Sequence, residues 1–564
     1  IFADAIMSYC RMARRRFGVS SIFKMLLLFF VIFALLQLSV PAPPRIAIDP
    51  VQQQQQMDDL IARKPEVPNR RPGKFYQNVI VHFDLKGAPP KVPYFLELLD
   101  MVADSGATGI LLEWEDMFPY TGVLEAVRST DAYSMDDVKQ ILDKAKSLNL
   151  DIIPLVQTFG HLEWILKLQE FRAHRDQDIY PQVLCLGSAD AIEVVKDALS
   201  QVIAAHLPYG IPYFHIGCDE AFQFGNCAAS RAWIERTKST REELALSHMR
   251  EIALHVMVKS PKTVVLAWND MLKSFPTETI KKLQLGKLIE PVVWDYSEDI
   301  RTQNEMTWAS LSENFQTVWA SSAYKGANFP SAQYIDVRHY EANNREWINH
   351  KKSQENKFAS WRGIIITGWQ RYDHMSGLCE TLPVGTPSMV LQIQNAIMAD
   401  ERPPQDVVRR AAGKLLKCAD YSVNNLQLVS HRCDFPGFKA YSDFQMASRN
   451  SMQLVDDELE RNHQILGWMS PYTRKHDMAQ AWYLQQIEPV LRGLQSQLQR
   501  NIDQLRKSMT PLFFANTIDE VIFLTIGQKA AQIDGMIKDL EKMKEVRVWP
   551  RRHFAIKQHD GSAL

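Results

Sequence analysis

The sequence predicts an α/β chain: a TIM (β/α)8 barrel, with an N-terminal membrane segment before it and a C-terminal helical region after it. Three observations carry this. From Asn78 onward, short apolar runs recur between longer helical patterns, at 78–83, 109–113, 151–156, 212–217, 263–268, 290–294, 316–320 and 363–368. Strands that alternate with helices pair in parallel through right-handed crossovers, and eight such units close a barrel. The end of every run is polar or aromatic, which suits a rim where eight strand ends meet better than the single crevice of a doubly wound sheet. Beyond residue 388 the pattern changes to helical periodicity without strands.

Composition sets the outer limits. With 564 residues, 46% hydrophobic, 23% charged and a formal net charge of -1, the chain has the balance of a globular protein with a large core and no field for nucleic acid. The seven cysteines stand at 10, 185, 218, 227, 379, 418 and 433 without any Cys-x-x-Cys pair. Neither a zinc site nor a disulfide framework is expected from that spacing, and Cys218 reads as a small buried hydrophobe.

In chain order, residues 1–24 form a basic tail with Arg11, Arg14, Arg15, Arg16 and Lys24. The apolar stretch 25–40 follows, in length between a cleaved signal peptide and a spanning anchor. Basic residues before it and no Ala-x-Ala exit favour a type II signal anchor with a luminal or extracellular body, secretion after cleavage being the alternative. No Asn-x-Ser/Thr acceptor occurs, which runs against that address. Residues 41–74 carry seven prolines and Gln52 to Gln56, the composition of a stalk. The barrel is expected over 75–388 and the helical region over 389–564. There, Leu484, Ile487, Leu491, Leu494, Leu498, Ile502 and Leu505 step by three and four along one helix face. That stripe reads as core, with a homodimer face as the other use of it.

The strand ends carry the chemistry. They are Asp84, Glu113 to Asp116, Gln157 with Gly160-His161, Asp219-Glu220, Trp268-Asn269-Asp270, Trp294-Asp295-Tyr296, Tyr324, and Trp369 to His374. Trp268, Trp294 and Trp369 beside acids read as a sugar pocket with aromatic walls. In Tyr213-Phe214-His215-Ile216-Gly217-Cys218-Asp219-Glu220 an apolar strand stops on two adjacent carboxylates. Such a pair shifts each other's proton affinity, which is how a general acid is made.

His-x-Gly-x-Asp-Glu resembles the signature of the family 20 glycoside hydrolases, the β-N-acetylhexosaminidases. Four further stretches are similar to one subgroup of that family: Glu115-Asp116-Met117-Phe118-Pro119-Tyr120, Phe159-Gly160-His161-Leu162-Glu163, Ala323-Tyr324-Lys325-Gly326-Ala327 and Thr367 to Tyr372. The resemblance covers about 76–385. It implies an exo-acting, retaining enzyme that releases terminal GalNAc or GlcNAc from glycans without a cofactor, leaning toward galactosaminides. The alternative is a membrane-tethered glycan-binding protein with a catalytically weak barrel. The substrate's own acetamido oxygen would attack the anomeric carbon, with Glu220 as general acid and base and Asp219 orienting the acetamido N–H. Tyr324, or else Tyr296, would hold the acetamido oxygen. Trp369 would floor the sugar, with Trp268, Trp294 and Tyr372 around it and His161 and Glu115 supporting the rim. The chain departs from the lysosomal-type enzymes at strand one, where His82-Phe83-Asp84-Leu85-Lys86-Gly87 replaces their sugar-binding arginine. Their amino-terminal accessory domain has no counterpart here either.

Overall fold

The computed structural model describes residues 67, 70–300, 303–419 and 432–552. Its strands are β1 (Asn78–Asp84), β2 (Gly109–Glu113), β3 (Asp151–Leu155), β4 (Arg175–Gln177), β5 (Tyr180–Leu184), β6 (Tyr213–His215), β7 (Val264–Trp268), β8 (Ile289–Trp294), β9 (Thr317–Lys325) and β10 (Ser360–Gly368). All but β4 and β5 form a closed barrel in chain order, β10 pairing back onto β1 in parallel from Asn78↔Gly363 to Val81↔Ile366. The eight expected runs are these eight strands. Ile80, Leu111, Ile153, Leu155, Tyr213, Leu266, Val292, Trp319 and Ile365 fill the interior, so the barrel is packed below its rim and only the strand ends are free for chemistry.

The crossover helices show why the sequence turns helical between strands. Met135–Ser147 starts with a capping box, Ser134 accepting from the Asp137 N–H and the Asp137 carboxylate accepting in return from the Ser134 N–H. It buries Val138, Ile141, Leu142 and Ala145, one face at helical spacing, and ends with Lys144 and Lys146 at the negative end of the helix dipole.

Several expectations are corrected. The barrel does not end at 388: Leu382–Ile397 is a single helix packed on β1, β9 and β10. The stretch expected as stalk joins the body from residue 70, where its cations find partners. Arg70 pairs with Asp151 at 3.5 Å and Arg71 donates to the Ile397 carbonyl at 3.1 Å. The antiparallel β4–β5 hairpin was not expected. It is short, and it matters because Leu162 N–H donates to Gln182 O and Leu184 N–H to Phe159 O, which pins the loop carrying His161.

The cysteines are also corrected. Cys185 bonds to Cys227 and Cys418 to Cys433, while Cys218 and Cys379 are free and buried. The fold brings together partners that lie 42 and 15 residues apart, which no local pattern announces.

Beyond the barrel, the long helix Ala481–Met509 packs on Gln528–Glu545. Arg492 pairs with Glu541 and Lys544 with Glu488, each at 2.6 Å, which sets the two helices antiparallel. Leu484, Ile487, Leu491, Leu494, Leu498 and Leu505 are buried within this chain, so the stripe is core and not a face for a second copy. Among the described residues no helix is long and apolar enough to cross a membrane. The basic tail, the expected anchor at 25–40 and the stalk up to residue 66 lie outside the described residues.

Candidate active site

Strand β6 is only three residues long because the chain leaves it in a sharp turn. Gly217, Cys218 and Glu220 all have left-handed backbone, with φ of 68°, 74° and 48°. For the two non-glycine residues this costs on the order of 1–3 kcal/mol each, strain that persists only where surroundings enforce it. Here they do. Thr158 Oγ1 donates to the Ile216 carbonyl at 2.7 Å, the Gly217 N–H to His215 Nδ1 at 3.0 Å, and the Glu220 N–H to Asp270 Oδ2 at 2.8 Å. Two glycines make the close approach feasible. A Cβ on Gly217 would lie 1.8 Å from Gln157 Oε1, and one on Gly160 would lie 2.2 Å from the Asp219 carbonyl.

This turn gives the adjacent acids different environments. Asp219 is 7% exposed, whereas the Glu220 side chain is 41% exposed at the pocket mouth. His161, itself at φ 52°, bridges them, its Nε2 3.4 Å from Asp219 Oδ2 and 3.3 Å from Glu220 Oε2. Burial works against charge on both Asp219 and His161. Their mutual attraction and hydrogen bond outweigh it, so Asp219 is held below the usual carboxylate range and His161 well above the usual imidazole range. The pair is therefore an ion pair, a fixed carboxylate beneath a fixed imidazolium. His215, buried behind it, is pushed down to about 3 and stays neutral.

Trp268, Trp294, Tyr296, Trp369 and Tyr372 line the pocket with Lys86, Gln157, His161, Asp219 and Glu220. Trp294 stacks on Tyr296 at 5.3 Å between ring centres, and the Trp369 indole N–H donates to the Tyr296 hydroxyl at 3.2 Å. Tyr372 stands half exposed at the entrance.

Two expected residues lie elsewhere. Tyr324 does not reach the pocket. It is the extra residue of a bulge, since Thr367 pairs with Ala323 but Gly368 with Lys325. Its buried ring packs where a Gly368 side chain would be, and its hydroxyl donates to the His82 carbonyl at 3.3 Å. Glu115 is not on the rim but behind Lys86, 3.5 Å from its ammonium, with His374 Nδ1 at 2.9 Å on the other side.

Three residues had no assigned role in the sequence, Lys86 and Gln157 in the pocket and Asp270 beside it. Lys86 Nζ pairs with Asp84 Oδ2 at 3.1 Å and stands 5.3 Å from the Trp369 ring centre. Burial disfavours its charge, but Asp84, Glu115 and Glu113 hold its proton affinity well above the ordinary value. It brings a fixed cation to the position where strand one lacks an arginine. Gln157 donates to Glu113 and leaves its buried Oε1 unpaired at the pocket. Asp270 accepts from Glu220 N–H and from the Trp294 indole at 3.1 Å, and burial with the nearby Asp219 charge pushes it up to about 7.

Among the described residues, Glu115, Asp116 and His374 bring ligand atoms within 4.8 Å of one another and could hold a metal ion. Cations already occupy that role. Lys86 lies on Glu115, and Lys167 lies 3.8 Å from Asp116 and 2.5 Å from His374 Nε2.

The model of the Glycosyl hydrolase family 20 catalytic domain matches residues 104–378. Hexosaminidase D of Homo sapiens is 33% identical over 83% of this chain and 95% of its own length. The chain belongs to glycosyl hydrolase family 20. Hexosaminidase D of Bos taurus is 39% identical over 57% of this chain and 92% of its own length. A solved structure, the N-acetyl-beta-hexosaminidase of Streptomyces plicatus, is 15% identical, with 62% of this chain and 68% of that chain covered at a TM-score of 0.43. This family 20 chain is thus a glycoside hydrolase, and the pocket at the C-terminal rim of its barrel is the candidate site.

Proposed function

We propose that the enzyme is an exo-acting β-N-acetylhexosaminidase that removes terminal N-acetylhexosamine with retention, by substrate-assisted catalysis. The observation that carries this is the divided environment of the acid pair: Asp219 ionised and nearly buried under His161, Glu220 half exposed beside it. Family 20 enzymes use the substrate's acetamido oxygen as nucleophile. Asp219 then serves where positive charge develops, at the acetamido nitrogen of the cyclising intermediate, and its burial strengthens that interaction. Glu220 gives its proton to the departing oxygen and afterwards activates water. Tyr296, on the pocket wall and fixed by Trp369, takes the role of holding the acetamido oxygen. A classical pair would need a second acid near 5 Å acting as nucleophile, and both Asp270 oxygens are occupied by N–H donors.

Two disulfides support an oxidising compartment for the catalytic body, the lumen or the exterior of the cell.

Assaying the full-length chain on nitrophenyl N-acetylgalactosaminide, N-acetylglucosaminide and the plain galactoside tests the reading, with NMR of the first-formed anomer. Turnover of the acetamido sugars with retention is expected. Comparable turnover of the galactoside, or inversion, would overturn it.

A further inference from the structure

A buried charged cluster lies behind the pocket, and the chemistry of the acid pair makes no use of it. Lys325 ends β9 with its side chain fully buried. Its stem runs over Gly385 of helix Leu382–Ile397, where a Cβ would come 2.7 Å from the lysine Cδ. That path brings Nζ to the Trp369 carbonyl at 2.5 Å and to Gln370 Oε1 at 3.3 Å. In the next two residues of the chain, the Gly326 N–H donates to Glu380 Oε2 at 2.9 Å and the Ala327 N–H to the Tyr340 hydroxyl at 3.0 Å. Gly326, Ala327 and Trp369 all line the pocket, so its wall is held through their backbones from behind. Burial opposes the charge on both Lys325 and Glu380. It keeps the ammonium below its ordinary value and pushes the carboxyl up to about 7, and Glu380 is the acid that does most to keep the Lys325 proton in place. Tyr340 and Cys379 face them and are pushed up by burial, so both stay neutral. Asp84, which accepts from the Gln370 N–H at 2.7 Å, is paired with Lys86.

We propose that Lys325 and Glu380 are a positioning pair that sets the width of the pocket, Lys325 by holding the Trp369 peptide and Glu380 by holding that of Gly326. The inference rests on the hydrolase reading above and gives neither residue a contact with substrate. Replacing buried charges by apolar groups is often neutral for stability, so the use of charge here is directional: it fixes one carbonyl and one N–H. The two peptides are coupled as well. A Cβ on Gly326 would lie 2.0 Å from the Trp369 carbonyl oxygen, so a shift in one peptide is passed to the other. When Glu380 takes up a proton, its hold on the Gly326 N–H weakens and Lys325 loses its main opposing charge. Substrate binding therefore tightens as pH rises through about 7.

The test measures KM and kcat of the full-length chain on whichever nitrophenyl N-acetylhexosaminide the wild type turns over, for Lys325→Met, Glu380→Gln and the two together. Lys325→Met keeps the buried stem and removes the donor. KM should rise about three- to tenfold, the worth of one buried hydrogen bond, while kcat changes little. The double variant should be no worse than Lys325→Met alone, because members of one unit do not add. From about pH 6 to about pH 8 the wild-type KM should fall more than that of Glu380→Gln; Asp270 titrates in both and cancels from the comparison. A folded Lys325→Met with unchanged KM would overturn the proposal, and so would losses that multiply in the double variant or a pH dependence unaltered by Glu380→Gln. Should Lys325→Met fail to fold, the pH comparison with Glu380→Gln decides. A wild type that turns over neither acetamido sugar, and binds no thiazoline mimic of the cyclised sugar, would instead overturn the hydrolase reading and this inference with it.

Discussion

Asp219 and Glu220 are neighbours in the chain, yet one is an almost buried anion and the other a half-exposed acid. The left-handed turn at Cys218 and Glu220 produces that difference by sending successive side chains into different surroundings. Glu220→Gln keeps the shape but cannot donate a proton. With a disaccharide the loss in kcat/KM should be about 10²–10⁴-fold, whereas a nitrophenolate leaves with little help and its first step should suffer far less. Equal losses on both substrates would point to another acid, His161 first. Asp270 makes a separate prediction. Its carboxyl is raised from 3.8 to about 7, so between those values the folded protein holds a proton that the unfolded chain has released. Its contribution to stability therefore falls as pH rises through that window. Asp270→Asn should lose about tenfold in kcat/KM through the Glu220 N–H and Trp294, while denaturation midpoints show it gaining on the wild type from pH 5 to pH 8. A midpoint difference independent of pH would show that Asp270 is ionised throughout. The acid pair could be read from sequence because both residues end an apolar strand. Asp270 could not, because it acts through a backbone N–H 50 residues away. Tyr324 was misplaced because a bulge, invisible in the residue pattern, removes it from alternation.

At the scale of elements, the turn that carries Asp219 and Glu220 is held at both ends. Its start is wedged against the loop after β3 at Gly160 and Gly217. Its far end is tied by Asp176, which accepts from the Asn226 and Cys227 N–H groups, and by the Cys185–Cys227 bond. Gly160→Ala would place a methyl group 2.2 Å from the Asp219 carbonyl oxygen, and backbone cannot yield there as a flexible side chain could. The expected cost is about 1–3 kcal/mol in stability, with kcat reduced further than stability alone explains because Asp219 and His161 move apart. Full activity in Gly160→Ala would mean the turn adapts freely. Replacing Cys185 and Cys227 together by Ser should cost about 2–4 kcal/mol, read by denaturant unfolding, with faster hydrogen exchange confined to the segment from 217 to 227. All eight barrel strands were legible because buried parallel strands are continuous apolar runs. The hairpin was not, because Arg175–Gln177 is a three-residue polar strand and Tyr180–Leu184 buries only Val183 and Leu184, too short an apolar run to announce a strand.

At the scale of the molecule, the C-terminal helices do more than cover apolar surface. Arg371, two residues after Trp369, donates from both terminal nitrogens to Glu520 at 2.6 Å, and Glu520 also accepts from the Leu378 N–H at 3.0 Å. Arg371 further donates to the Lys86 and Gly87 carbonyls, at 3.2 Å each. One carboxylate on helix Ala515–Ile522 thus fixes the loops after β10 and β1, which bring Trp369, Tyr372 and Lys86 to the pocket. The helices after the barrel were evident in the sequence as amphipathic repeats, but this contact joins residues 149 apart and no periodicity encodes it. Glu520→Gln retains size and loses the charge that makes the paired hydrogen bonds strong. Unfolding should show a loss of about 1.5–3 kcal/mol, the worth of hydrogen bonds to a charged group. The informative readout is kinetic. Because Asp219, Glu220 and His161 stand on the loops after other strands, β6 and β3, kcat should change little while KM rises, the expected sign of a loosened pocket wall with intact proton transfer. If stability falls but KM does not move, the C-terminal region supports the barrel without shaping its pocket, and Arg371 holds its loop through the β1 carbonyls alone.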